Sequence, residues 1–307
     1  MALAQAKDRD FKHLIIFNVS VLIFFGILLS IGTFFDETIS RGIYSPDNLI
    51  ARMITTLGTV PFFFMAVFFI GCLLERIFHS GLGKEIRYAL FALCSLLGLV
   101  VGFFGVGAFL DRDCLGSFFP VLDRNIPVIA VLAIVATPIL LRLGYLMAGT
   151  TDDKMLVKRI VALLILMGLS YLALQIFKDV FHRPRFRLVV SGIDGIGYTP
   201  WYTPFPAFQS FMDSLGINAT EFRSFPSGHS ILSTSCVFIF QSLSWFPKFK
   251  GKGKLTLGAA GLIFAIVIMF TRVILGAHYL SDVSAAALIS TVLALIYTIV
   301  QNKYSTS

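Results

Sequence analysis

Long apolar runs separated by short, charged connections make up most of the chain. A helix needs about 20 apolar residues to cross the hydrocarbon core of a bilayer. On that measure the spans fall at about Leu14–Phe35, Met53–Leu74, Tyr88–Leu110, Ile126–Met147, Ile160–Phe177, Ser230–Phe246, Leu255–Thr271 and Tyr279–Val300. The sixth is short for a bilayer, and the second carries Pro61 in its outer part, where a kink is tolerable. One polar connection, 178–228, is much longer than the others. The pattern predicts an all-α fold, a multi-pass transmembrane helical bundle of about eight spans with no separate soluble domain.

Composition strengthens this reading. The 307 residues are 57% hydrophobic and only 14% charged, with a mean hydropathy of +0.85, which excludes a soluble domain of this size. Basic residues precede the first run, as in a signal peptide. The run is too long for that and no small-residue cleavage site follows, so a retained span is expected. The four cysteines, Cys72, Cys94, Cys114 and Cys236, show no paired spacing, which argues against a disulfide framework or a zinc site.

The net charge of +8 raises nucleic acid as a partner, but in so apolar a chain the excess is expected in cytoplasmic loops. With the N-terminus inside, the cytoplasmic segments hold Lys7, Arg9, Lys12, Arg76, Lys84, Arg87, Lys154, Lys158, Arg159, Lys248, Lys250, Lys252, Lys254 and Lys303. The opposite side holds Arg41, Arg52, Arg112 and Arg124. This bias predicts both termini cytoplasmic, with 178–228 and the turn between the last two spans on the outer face. The lysines at 248–254 would then face anionic cytoplasmic lipid.

Six further cations defy the bias: Lys178, Arg183, Arg185, Arg187, Arg223 and Arg272. They fall in or near three clusters: Lys178-Asp-Val-Phe-His-Arg-Pro-Arg185, Pro226-Ser-Gly-His229, and Arg272-Val-Ile-Leu-Gly-Ala-His278-Tyr-Leu-Ser-Asp282. Ser227 is placed to cap a helix whose positive end favours an anion. His278 and Asp282 are four apart and share a helix face, so the carboxylate is placed to hold the imidazole in one tautomer. Gly276 would ease the tight turn between Arg272 and His278. Fixed cations of this kind spread the charge of a phosphate. An unprotonated histidine can attack phosphorus, and a second can protonate the leaving alkoxide, a step worth about 10²–10⁴-fold. That chemistry needs no metal, and the sequence offers no carboxylate cluster to hold one.

The three motifs, Lys-x6-Arg, Pro-Ser-Gly-His and Arg-x5-His-x3-Asp, resemble in order and spacing the type 2 phosphatidate phosphatase family. That family includes integral-membrane lipid phosphatases and related soluble acid phosphatases and vanadium haloperoxidases. The resemblance covers 178–282 and implies a core of six spans, here the third to the eighth. Residues 1–86 would be two additional N-terminal spans, and 87–307 the core with its catalytic loop 178–228. It implies that Lys178, Arg185 and Arg272 bind phosphate and that Ser227 and Gly228 donate hydrogen bonds to it. It further implies His229 as general acid, His278 as nucleophile and Asp282 as its orienting partner. Two departures are visible. Phe186 follows Arg185 where proline is usual, so Arg183-Pro184 offers an alternative register, and Thr271 stands where serine is usual.

The expected substrate is a lipid phosphate ester or diphosphate, with phosphatidate, phosphatidylglycerophosphate and a polyprenyl diphosphate all fitting. No cofactor, metal or nucleic acid is expected, and the location would be a bacterial plasma membrane. Alternatives are a lipid phosphotransferase using the same intermediate, or a non-catalytic lipid-binding or transport protein. The aromatic loop with Tyr198, Trp201, Tyr202, Phe205, Pro206, Phe208 and Phe211 reads either as a lid at headgroup depth or as a loop packed by its own rings.

Overall fold

The computed structural model describes residues 2–204, 214–249 and 253–306; Phe205, Pro206, Phe208, Phe211, Lys250 and Lys252 lie outside these. The described residues form helices and no strand. They are α1 (Ala2–Ile43), α2 (Leu49–Thr55), α3 (Val60–Phe78), α4 (Lys84–Leu110), α5 (Ile126–Ala148), α6 (Leu156–Phe181), the short α7 (Phe186–Val189), α8 (Gly228–Ser242), α9 (Lys254–Ile274) and α10 (Leu280–Thr306). Seven helical segments are long and apolar enough to cross a membrane. The fold is the expected helical bundle of an integral multi-pass membrane protein.

Two departures from uniform spans have local causes. The second apolar run is broken into α2 and α3, with Pro61 in the first turn of α3. Proline lacks an N–H and clashes with the carbonyl four residues back, so it starts a helix more readily than it continues one. The break brings Thr59 to the wall of the site described below. The other departure is α8, fifteen residues long. At 1.5 Å per residue it measures about 22 Å, too short to span a bilayer. Only His229 and Phe240 along it escape full burial. Its many hydroxyls explain why it lies inside the bundle rather than against lipid. Ser242 pairs with the Tyr297 hydroxyl at 2.8 Å, and the Ser290 hydroxyl of α10 donates to the Ile231 carbonyl at 2.8 Å.

Helices α3, α6, α9 and α10 pack around α8. Phe69 of α3, Leu163 of α6, Phe238 of α8 and Ala294 of α10 share the main core. A second core joins Phe25 of α1 to Met269 of α9 and Ala287 of α10. Helix α1 runs along α10, and the buried Asn18 donates to the Thr298 hydroxyl at 3.0 Å. The outcome is one end of the bundle where α4 and α6 finish, α8 begins, and α9 turns into α10.

Candidate active site

The three sequence clusters meet at that end around a pocket of about 260 Å³. Lys178, Arg185, Gly228, His229, Arg272 and His278 all line it. Ser227 and Asp282 do not; both are fully buried behind it. Ser227 is the N-cap of α8, its hydroxyl oxygen accepting from the Ser230 backbone N–H at 3.4 Å and the Ser230 hydroxyl at 2.8 Å. The positive end of α8 is thereby aimed at the pocket.

His278 sits in the turn between α9 and α10 and is buried. Gly276 makes that turn possible: its φ of +62° lies in the left-handed region, and its carbonyl accepts from the Arg187 N–H at 2.9 Å. The Nδ1 of His278 lies 2.6 Å from the Ser224 carbonyl. A carbonyl can only accept, so Nδ1 carries the proton and Nε2 keeps its lone pair. Burial pushes the imidazole down to about pH 3, with Arg272 acting in the same direction and Asp282 opposing. The ring is therefore neutral at ordinary pH. Asp282 stands 3.8 Å from Nδ1, and the same carboxylate oxygen accepts from the Ser224 hydroxyl at 2.5 Å and the Tyr279 N–H at 2.9 Å. Serine 224 thus joins the two residues that the motif spacing paired directly.

Arg185 and Arg272 converge on one atom. Arg185 Nη1 donates to Asp113 Oδ2 at 2.5 Å, and Arg272 Nη2 to the same oxygen at 2.8 Å. Arg187 holds the other oxygen at 2.8 Å and also donates twice to Glu221. Burial would raise the Glu221 carboxyl, but the Arg187 hydrogen bonds and the Arg185 and Arg187 charges hold it below its ordinary value. The Nε groups of Arg185 and Arg272 are buried with no hydrogen-bond partner among the described residues. Buried N–H groups of this kind are suited to an anion with several oxygens.

His229 Nε2 lies 3.1 Å from Cys114 Sγ. Asp113 and Cys114 lie just after α4, in a loop that carries Asp111, Asp113 and Asp123. The signal was an acidic loop expected on the same face as six unexplained cations. Of the two registers at the first motif, Arg185 lines the pocket, whereas Arg183 is buried against Asp36 and Asp282.

No curated protein and no solved structure matches the chain. Residues 159–305 match the family model described as PAP2 superfamily. The match and the seven apolar helices together support a membrane phosphatase. All three motifs lie inside the matched stretch, which is consistent with their resemblance to the type 2 phosphatidate phosphatase family.

Proposed function

We propose that the protein hydrolyses a lipid phosphate ester or diphosphate through a phosphohistidine. One observation carries the lipid part of this reading. An apolar groove of about 340 Å³, lined by Phe63, Val100, Phe104, Met167, Gly168 and Tyr171 among others, runs between α3, α4 and α6. Each wall continues into the polar pocket one helical turn on: Phe63 lies next to Thr59, Phe104 to Ala108 and Tyr171 to Gln175. A phosphate held by Lys178, Arg185 and Arg272 would direct its hydrocarbon chain into that groove.

In the proposed reaction His278 Nε2 attacks phosphorus while the ester P–O bond breaks. His229, charged as the imidazolium beside the bound anionic phosphate, gives one proton to the departing alkoxide and becomes neutral; the alkoxide is a far better acceptor for that N–H than the Cys114 sulfur. Water then attacks the P–N bond, His229 takes a proton from it, and phosphate leaves with His278 neutral again. Backbone N–H groups at Gly228, anchored by the Ser227 cap, and the three cations stabilise the charge on the transferring group. Asp282 orients His278 through Ser224. The charge count supports a site on the outer face with both termini cytoplasmic, as in a bacterial plasma membrane. The six longer helices α4, α5, α6, α8, α9 and α10 would then be the core.

The test compares phosphatidate, phosphatidylglycerophosphate and a polyprenyl diphosphate with a soluble phosphate ester, using purified protein. Burying three or four methylenes at about 0.8 kcal/mol each predicts about a 10²-fold preference for the lipids in kcat/KM. A Cβ at Gly168 meets nothing within 4 Å, so Gly168→Leu should insert and partly fill the groove. It should reduce lipid turnover and spare the soluble ester. Equal loss on both, or loss on neither, contradicts the groove as the lipid site. An assay with an added lipid acceptor separates hydrolysis from phosphotransfer.

A further inference from the structure

Asp36 lies near the end of α1, in the segment that the sequence separates from the catalytic core, and it is 1% exposed. A carboxylate buried in an apolar helix is costly unless it is paired and hydrogen-bonded. Asp36 is both. Its Oδ1 accepts from the Ser281 backbone N–H at 2.9 Å, in the first turn of α10. Its Oδ2 accepts from Arg183 Nη2 at 2.9 Å and also from the Ser281 hydroxyl. The close approach is permitted by Gly32, one turn earlier, where a Cβ would stand 2.7 Å from the Ser281 nitrogen.

Arg183 passes the connection on. It is 1% exposed, and its Nη1 donates to Asp282 Oδ1 at 2.5 Å and to the Ser281 hydroxyl at 2.8 Å. Its Nε donates to the Thr199 carbonyl at 2.8 Å, and its guanidinium lies 4.0 Å from the centre of the Tyr279 ring. The Arg183 carbonyl accepts from the Ser224 N–H at 2.9 Å. Side chain and backbone of Arg183 therefore grip the two residues that hold His278: Asp282, and Ser224, whose carbonyl receives the Nδ1 proton.

We propose that Asp36 is a positioning residue for His278, acting through Arg183, so that the N-terminal helix is part of the catalytic machinery rather than an appendage to it. Asp36 fixes one arm of the Arg183 guanidinium. The other arm is then directed at Asp282 in a single orientation, and Asp282 and Ser224 hold the imidazole. With two carboxylates on one guanidinium the trio keeps a net negative charge beside His278. That charge opposes Arg185, Arg272 and Lys178, which face the ring from the pocket side with His229 and Asp113. Without the Asp36 carboxylate, Arg183 would neutralise Asp282 alone and draw it off its position.

The inference rests on His278 being the nucleophile, and the experiment separates the two. Full-length protein in detergent is assayed on a soluble phosphate ester, with His278→Ala, Asp36→Asn, Asp36→Glu and Ser281→Ala compared. Partners that orient a metal-bound histidine contribute about 10–100-fold, and a similar factor is expected for partners that orient a reacting one. Asp36→Asn should lower kcat by about that factor and leave KM within about twofold, because no phosphate-binding group is touched. Asp36→Glu should recover part of the loss. Ser281→Ala keeps both charges and removes one bridging hydroxyl, so it tests the link in a milder background with a loss of a few fold. Exposed Glu37→Gln on the same helix is the control and should leave kcat unchanged. An inactive His278→Ala beside Asp36→Asn and Ser281→Ala with full kcat would overturn the role of Asp36. An active His278→Ala would overturn the catalytic reading itself, and this inference with it. A loss in Asp36→Asn and Ser281→Ala that appears in KM rather than kcat would also overturn it.

Discussion

Two buried carboxylate–arginine clusters sit within the same end of the bundle, and they are built differently. In the first, Asp36 and Asp282 share Arg183, and every side of the guanidinium is committed, to carboxylates, a serine, a carbonyl or an aromatic face. In the second, Asp113 is shared by Arg185, Arg187 and Arg272, and the Nε groups of Arg185 and Arg272 have no partner among the described residues. The first has more carboxylate than cation and is closed; the second has more cation than carboxylate and opens on the pocket. A closed cluster fixes geometry, and an open, cation-rich one can exchange its internal anion for an external one. Under the proposed mechanism, the same kind of ion pair would position the nucleophile in one place and receive the phosphate in the other.

Substitutions can break that comparison. The largest effect is expected at the open cluster. Arg272→Ala should cost about 10²–10³-fold in kcat/KM, because a donor to a charged transition state is lost. Phosphate-release kinetics check this. A loss no greater than that at exposed Arg41 would remove the cluster from the chemistry. Asp113→Asn should act in the opposite direction on affinity. The carboxylate competes for the Arg185 and Arg272 N–H groups, so its removal should tighten inorganic phosphate binding about 3–10-fold. Thermal stability should fall in buffer and be recovered with phosphate, as linkage requires. Titration of phosphate against melting temperature measures both, and Asp36→Asn should leave phosphate affinity unchanged.

The smallest effect concerns pH. His278 is held down to about 3 in the folded protein, against an ordinary value near 6.5. The unfolded chain therefore binds the extra proton first as pH falls. Stability contributed by the neutral ring is complete above about pH 6.5 and is lost progressively toward pH 3. Glu221, held below its ordinary value, adds a loss in the same direction at lower pH. The melting temperature of wild type should decline between pH 7 and 5 more steeply than that of His278→Gln.

The helical fold was legible because length and apolarity alone distinguish membrane spans. The motif residues were legible because their spacing is short-range within each cluster and their charges ran against the loop bias. Asp36, Asp113 and Ser224 were not. Each lies outside the motifs, and its part depends on which helices become neighbours, which apolar periodicity does not encode. Asp36 falls at the edge of an apolar run and reads there as the start of a loop, whereas α1 continues past it to Ile43. The break at Pro61 was legible as a kink but not as a device that brings Thr59 to the pocket. The aromatic loop was readable as a lid or as a self-packed loop. Among its described residues, Trp201 stacks on Phe225 and donates to the Thr33 hydroxyl at 2.9 Å, so it is tied to both the Pro-Ser-Gly-His segment and α1.

The central claim is that His278 carries the phosphoryl group. Wild type, His229→Ala and His278→Ala are mixed with a ³²P-labelled lipid phosphate, quenched in base and examined for protein-bound label. The account predicts a base-stable, acid-labile label on wild type and none on His278→Ala. With a substrate whose leaving group needs no proton, His229→Ala should accumulate more label than wild type, because the water step then lacks its base. Label on His278→Ala equal to wild type, or its continued release of phosphate, would contradict the account.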